Sequence, residues 1–132
     1  MILVKTRLDK SLIHGIGIFS REFIAKGAIV WRFAQGFDLV LTKEQVGRLS
    51  EAARDQFLNY AYLSKKTGLY ILCSDDSRFF NHELNPNTTC RVPVNPDSSD
   101  SLECFANRDI QPGEELTNNY CEFDNDCTGT IM

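Results

Sequence analysis

The amino-acid sequence predicts a mostly-β domain with a single helical insertion. Short runs rich in β-branched and aromatic residues recur along the chain, and glycine- or proline-marked turns separate them. One stretch, beginning at Thr42, changes to a helical period. A length of 132 residues with ordinary apolar content suits one core and leaves little room for a second. The expected organisation is therefore a single domain over 1–132, with a core of about 4–123 and a polar tail over 124–132.

Taken in order, Ile2 to Leu8 reads as a strand, and Gly15-Ile16-Gly17 as a turn leading into a strand from Ile16 to Ser20. Lys26-Gly27 marks a turn before a strand from Ala28 to Phe33, and Asp38 to Leu41 forms another. Thr42-Lys43-Glu44-Gln45 has the pattern of a capping box, in which the Thr42 hydroxyl accepts from the Gln45 amide and the Gln45 side chain reaches back. Val46, Leu49, Ala53, Phe57 and Tyr60 then form one apolar stripe, on a single helix or on two short ones broken near Ser50. Leu69 to Cys73 reads as a strand, Arg78 to Asn87 as a tight irregular segment, and Thr88 to Val94 and Leu102 to Asn107 as two strands around an exposed loop. Pro112-Gly113 turns the chain into a last strand from Glu115 to Tyr120.

The net charge is −4 and the basic residues are scattered, so no nucleic-acid partner is expected. An acidic surface instead suits a basic protein partner through long-range steering. No apolar run is long enough to span a membrane. Met1 to Lys5 lacks the features of a secretory signal, so a cytoplasmic setting is expected, or a host cell or nucleus for an exported effector. The five cysteines, Cys73, Cys90, Cys104, Cys121 and Cys127, are odd in number and contain no Cys-x-x-Cys pair. They read as free thiols packed as small apolar groups, without a disulfide framework or a zinc site. No metal is expected: Asp124 to Gly129 has a calcium-loop flavour but lacks the distant bidentate glutamate.

Three stretches carry potential chemistry. Gly15-Ile16-Gly17 lets a backbone approach a ligand, but no third glycine or long helix follows, which excludes a dinucleotide fingerprint. Arg78 to Asn87 sets an Asn81-His82 pair beside Phe79 and Phe80, a polar cluster that needs partners if buried. Glu114 to Tyr120 ends a strand in a tyrosine whose hydroxyl can face a pocket.

The order and spacing of these three stretches resemble the SET-domain family, over roughly Val4 to Phe123. The resemblance implies a fold of small β-sheets whose C-terminal segment passes beneath an earlier loop, a threaded arrangement that most folds avoid. It implies a protein-lysine methyltransferase that uses S-adenosylmethionine, with a lysine-containing basic protein or peptide as substrate. Gly15, Ile16, Gly17, Arg78, Phe79, Asn81, His82, Tyr120 and Phe123 are the implied cofactor-binding residues, with His82 near the adenine. Tyr120 matches the family's active-site tyrosine, and Tyr60 or Tyr62 stands where a second channel aromatic is often found.

The sequence departs from the family pattern in three ways. Glu83-Leu84 follows Asn81-His82 where Ser-Cys is frequent, and no three-cysteine zinc cluster follows the domain. Asn118-Asn119 precedes Tyr120 where an aromatic and an acid are common. The residues before Gly15 contain no cysteine, so a domain without a preceding cysteine-rich region is expected, as in small bacterial and viral members. These departures keep a second reading open, a non-catalytic SET-like module that binds a peptide or the cofactor, and exposed strand edges leave a homodimer open.

Overall fold

The computed structural model describes residues 1–127. Four small sheets share one core. β1 (Thr6–Lys10) and β2 (Ile16–Ser20) form an antiparallel hairpin. β3 (Ile29–Arg32) pairs with β9 (Glu103–Ala106), which also pairs with β8 (Thr88–Arg91), all antiparallel. β4 (Leu39–Leu41), β6 (Tyr70–Leu72) and β5 (Tyr62–Leu63) make a third antiparallel sheet. The fourth is a parallel pair, β7 (Asn81–His82) with β10 (Thr117–Asn118). Ile18, Val30, Ala106, Ile110 and Leu116 lose all solvent contact where the sheets meet.

The helical insertion is two short helices, α1 (Lys43–Gly47) and α2 (Glu51–Tyr60). Both halves of the Thr42 capping box form: Thr42 Oγ1 accepts from the Gln45 amide at 3.1 Å, and Gln45 Oε1 accepts from the Thr42 amide at 2.8 Å. Ser50 breaks the run because its hydroxyl caps α2 by accepting from the Ala53 amide. The apolar stripe is narrower than its spacing suggests. Val46 and Phe57 are buried with Ala61 in a small second cluster, whereas Ala53 and Tyr60 are exposed. The helices pack on β4 and the central strand β6 through Leu41, Tyr70 and Leu72.

Several strand limits differ from expectation. The first residues do not extend β1 back to Ile2; the Ile2 amide donates to Asp75 and the Leu3 amide to the Val30 carbonyl, so the chain start lies against β3. The expected strand from Thr88 to Val94 ends at Arg91, before Pro93, which has no amide to donate. The last strand shrinks to β10, because the Asn119 side chain caps a 3₁₀ turn over Tyr120–Glu122. β5 and β7, two residues each, are too short to carry a periodic signal.

The reading of the cysteines as free thiols is corrected for four of the five. Cys90 and Cys104 stand directly opposite in the β8–β9 ladder and are disulfide-bonded. Their 14-residue separation reveals nothing until the strand register is known, because a one-residue slip would turn one of them to the other face. Cys121 and Cys127 close a second disulfide across a tight turn, tying the start of the expected polar tail to the residues before it. Only Cys73 is free, and it is buried. Thr128 and Gly129 of the calcium-like stretch lie outside the described residues.

The segment carrying β10 is held on both sides. β7 flanks it on one side, and the Glu83 amide donates to the Asn118 carbonyl. On the other side lies Asn87, only 3% exposed. The Asn87 side chain accepts from the Thr117 amide at 2.9 Å and donates to the Glu115 carbonyl at 2.8 Å, and the Thr88 hydroxyl donates to the Thr117 carbonyl. The segment thus runs beneath the 81–88 loop, as the family resemblance implies. Asn87→Ala should destabilise the fold by roughly 2–4 kcal/mol, since it strands a buried amide and a buried carbonyl. Denaturant unfolding reads this directly; a loss within the range of ordinary surface substitutions would show that Asn87 does not hold the segment.

Candidate functional site

A cavity of about 720 Å³ opens where β10 passes beneath the loop. One wall is polar backbone and amide. Asn81 Nδ2 donates to the His14 carbonyl (3.0 Å), the Ile16 carbonyl (3.3 Å) and Glu115 Oε2 (2.8 Å). With its donors turned toward the loop, the amide leaves Oδ1 for the cavity. Gly15 takes φ +49° at this wall, a left-handed conformation that favours glycine. Gly17 is different: it is buried and lies outside the wall, packed against Glu115.

The other wall is aromatic. Tyr62 and Phe123 meet edge-to-face with centroids 5.0 Å apart, and Phe123 lies 6.2 Å from the Tyr120 ring. Tyr60, exposed, stands at the rim with its ring 5.3 Å from Phe79. Of the two expected channel tyrosines, both line the cavity, but only the Tyr62 hydroxyl is buried. Arg78 and Phe79 also line it. His82 lies outside the lining; its Nδ1 accepts from the Tyr120 amide at 3.2 Å, which fixes where the tyrosine leaves the backbone.

Tyr120 is a neutral phenol with a committed proton. Burial, helped by the Asp124 and Glu115 carboxylates, pushes its pKa up to about 12. Its hydroxyl donates to the Phe80 carbonyl. The oxygen lone pairs therefore remain as acceptors at the cavity. Burial and nearby Cys73 raise the Tyr62 pKa well above its ordinary value, so it too stays protonated. Cys73, another lining residue, is raised to about 12 by burial, which makes its thiol a poor nucleophile.

Three polar groups in this lining are buried without a hydrogen-bond partner among the described residues: Trp31 Nε1, the Tyr62 hydroxyl and Asn118 Oδ1. Buried polar groups are normally paired, so such a concentration in one cavity suits a polar ligand. Sequence reading missed Trp31 because a register shift in the β3–β9 ladder lets Val30 and Trp31, adjacent in sequence, both turn inward. It also missed Asp124, assigned to the tail but only 1% exposed, which accepts from the Leu63 amide and lines the cavity. Asn118 was visible only as a departure from the family pattern.

The arrangement can hold a cationic, hydrogen-bonding ligand at the Asn81 wall and desolvate an alkyl amine among the aromatics. A ligand that carries an ammonium group fits the first wall, where Asn81 is left as an acceptor and Glu115 stands behind.

Comparison with known proteins agrees with the fold. The SET-domain sequence profile matches residues 15–121. Histone-lysine N-methyltransferase set9 of Neurospora crassa is 30% identical over 105 residues, which cover 80% of this chain. A Plasmodium falciparum protein is 28% identical over 117 residues, covering 86%. The chain spans only 12% and 2% of those two relatives' lengths. Among solved structures, the Neurospora SET domain protein DIM-5, a histone lysine methyltransferase, matches with TM-score 0.61 and 25% identity, covering 89% of this chain and 52% of that one. A chain of Polycomb Repressive Complex 2 from Chaetomium thermophilum, in a structure that holds S-adenosylmethionine, matches with TM-score 0.70 and 21% identity, covering 97% and 16%.

An unpaired buried hydroxyl costs on the order of 1–3 kcal/mol. Tyr62→Phe should therefore leave the unfolding free energy of the ligand-free protein unchanged or raise it. A loss above about 1 kcal/mol would show that the hydroxyl has a structural partner.

Proposed function

Because the chain belongs to the SET-domain family, we propose that it is a protein-lysine methyltransferase that uses S-adenosylmethionine. The observation that carries this reading is Tyr120: a phenol held neutral, its proton given to the Phe80 carbonyl, its oxygen left as an acceptor in a cavity that also contains the Asn81 amide.

S-adenosylmethionine, when bound, supplies an electrophilic methyl group on a sulfonium sulfur. The residues of the chain then have two tasks. The first is alignment, since an in-line displacement rewards correct geometry above all. The Tyr120 oxygen, the Tyr62 hydroxyl and Asn118 Oδ1 offer acceptors for the N–H groups of a lysine amine, and they would orient its lone pair. The second task is to favour the neutral amine. A free lysine has a pKa of about 10.4, and an environment of Phe123, Tyr62 and Trp31 rings disfavours the charged form. Tyr120 cannot serve as a strong base, because its own proton is retained far above neutral pH.

The named relatives are histone-lysine methyltransferases. A lysine on a basic, histone-like protein is therefore the first substrate to try, and the net charge of −4 suits such a partner.

Tyr120→Phe should reduce kcat on a lysine-bearing basic peptide by about a hundredfold, the scale of removing one positioned polar group from a transition state. The rate of both proteins should rise with pH as the bound amine loses its proton, and the two profiles should share one shape. An unchanged kcat would remove Tyr120 from the mechanism; a profile that changes shape would mean that Tyr120 itself titrates.

A further inference from the structure

One carboxylate behind the cavity wall has no part in aligning the amine. Glu115 accepts from the Ser11 hydroxyl through Oε1 at 2.8 Å and Oε2 at 2.9 Å, and from Asn81 Nδ2 at 2.8 Å. Ser11 Oγ also accepts from the amides of Ile13 and His14, so the 11–16 loop is anchored on the same carboxylate. Gly17 makes the room. A Cβ there would lie 2.3 Å from Glu115 Oε2, and that oxygen is pinned by Ser11 and Asn81. The second glycine of Gly15-Ile16-Gly17 thus clears space for a side chain of the protein itself.

The consequence falls on Asn81. An asparagine amide can face either way, and its neighbours decide which. The three groups facing Nδ2 are Glu115 Oε2 and the carbonyls of His14 and Ile16, all acceptors with nothing to donate. A flipped amide would set its oxygen against three oxygens, one of them charged. Oδ1 is therefore held toward the cavity, where a cationic N–H can donate to it.

We infer that Glu115 is a positioning residue for the cofactor: by fixing the Asn81 amide it presents Oδ1 to the ammonium of the cofactor's amino-acid part, and it selects ligands that carry this ammonium over nucleosides that lack it. This rests on the reading of the Asn81 wall as the cofactor site. Ser11 shares the task by holding the carboxylate in place.

Methylthioadenosine separates this role from general support of the loop, because it keeps the adenosine and a thioether sulfur but has no amino-acid part. By calorimetric titration, Glu115→Ala should weaken S-adenosylmethionine roughly tenfold or more, while methylthioadenosine changes less than about twofold. Glu115→Gln can keep an oxygen toward Asn81 and should stay within about threefold of the parent protein for both ligands. Thermal unfolding checks that each variant is folded; Glu115→Met, of similar length and without a strong acceptor, replaces the alanine variant if that one does not fold. Equal losses for both ligands would reduce Glu115 to a loop support and overturn the inference, as would unchanged S-adenosylmethionine affinity. A parent protein that binds methylthioadenosine but not S-adenosylmethionine would overturn the cofactor reading, and this inference with it; parent binding with unresponsive Glu115 variants would overturn this inference alone.

Discussion

The Asn87 side chain stands in for a missing strand. β10 has a backbone neighbour on one side only, β7, and its other edge would be left with unpaired amide and carbonyl groups in the interior. Asn87 fills that edge: its oxygen accepts from Thr117, its nitrogen donates to the Glu115 carbonyl, and the Thr88 hydroxyl takes the Thr117 carbonyl. A side-chain amide is suited to this because it carries the same donor and acceptor as a peptide group. The cavity depends on this pairing. Asn118 and Tyr120 reach its interior from the segment that Asn87 holds, and Asn81 reaches it from the strand on the other side.

The site departs from the rule that governs the rest of the interior. Among the described residues the other buried polar side chains are paired; the Ser77 hydroxyl, for example, donates to Asp75, and the Thr88 hydroxyl to the Thr117 carbonyl. In the cavity, Trp31 Nε1, the Tyr62 hydroxyl and Asn118 Oδ1 have no partner among the described residues. Local loss of stability in exchange for preorganised polar groups is a common property of functional sites. The electrostatics point the same way. Burial, followed by the Asp124 and Glu115 carboxylates, raises the Tyr120 pKa and keeps the phenol neutral at the cavity. The Cys121–Cys127 disulfide closes the turn that carries Phe123 and Asp124 to the cavity wall.

Much of this was legible in the sequence, and for physical reasons. Local signals read well: the Thr42 capping box and the strand from Ile16 to Ser20 depend on neighbours in the chain, and of the two helical readings left open the structure shows the one broken at Ser50. The resemblance named Tyr60, Tyr62, Asn81, Tyr120 and Phe123, all of which line the cavity. What stayed hidden depends on pairing between distant segments. The Cys90–Cys104 disulfide needs the β8–β9 register, and Trp31 needs the shift in the β3–β9 ladder. Gly17 was read as a close approach to a ligand, but the group it approaches is Glu115, nearly a hundred residues away. Asp124 looked like tail polarity because nothing nearby in sequence shows that it is buried against Leu63.

We propose that one cavity, framed by Asn81 and Tyr120 around the threaded segment, receives S-adenosylmethionine. Calorimetric titration of the purified protein with S-adenosylmethionine tests it most directly, beside Asn81→Ala verified as folded. Saturable binding at one site, abolished by the substitution, is the expected result. Absence of binding to the folded parent protein, with and without a basic lysine peptide present, would contradict it, as would full affinity in the Asn81 variant.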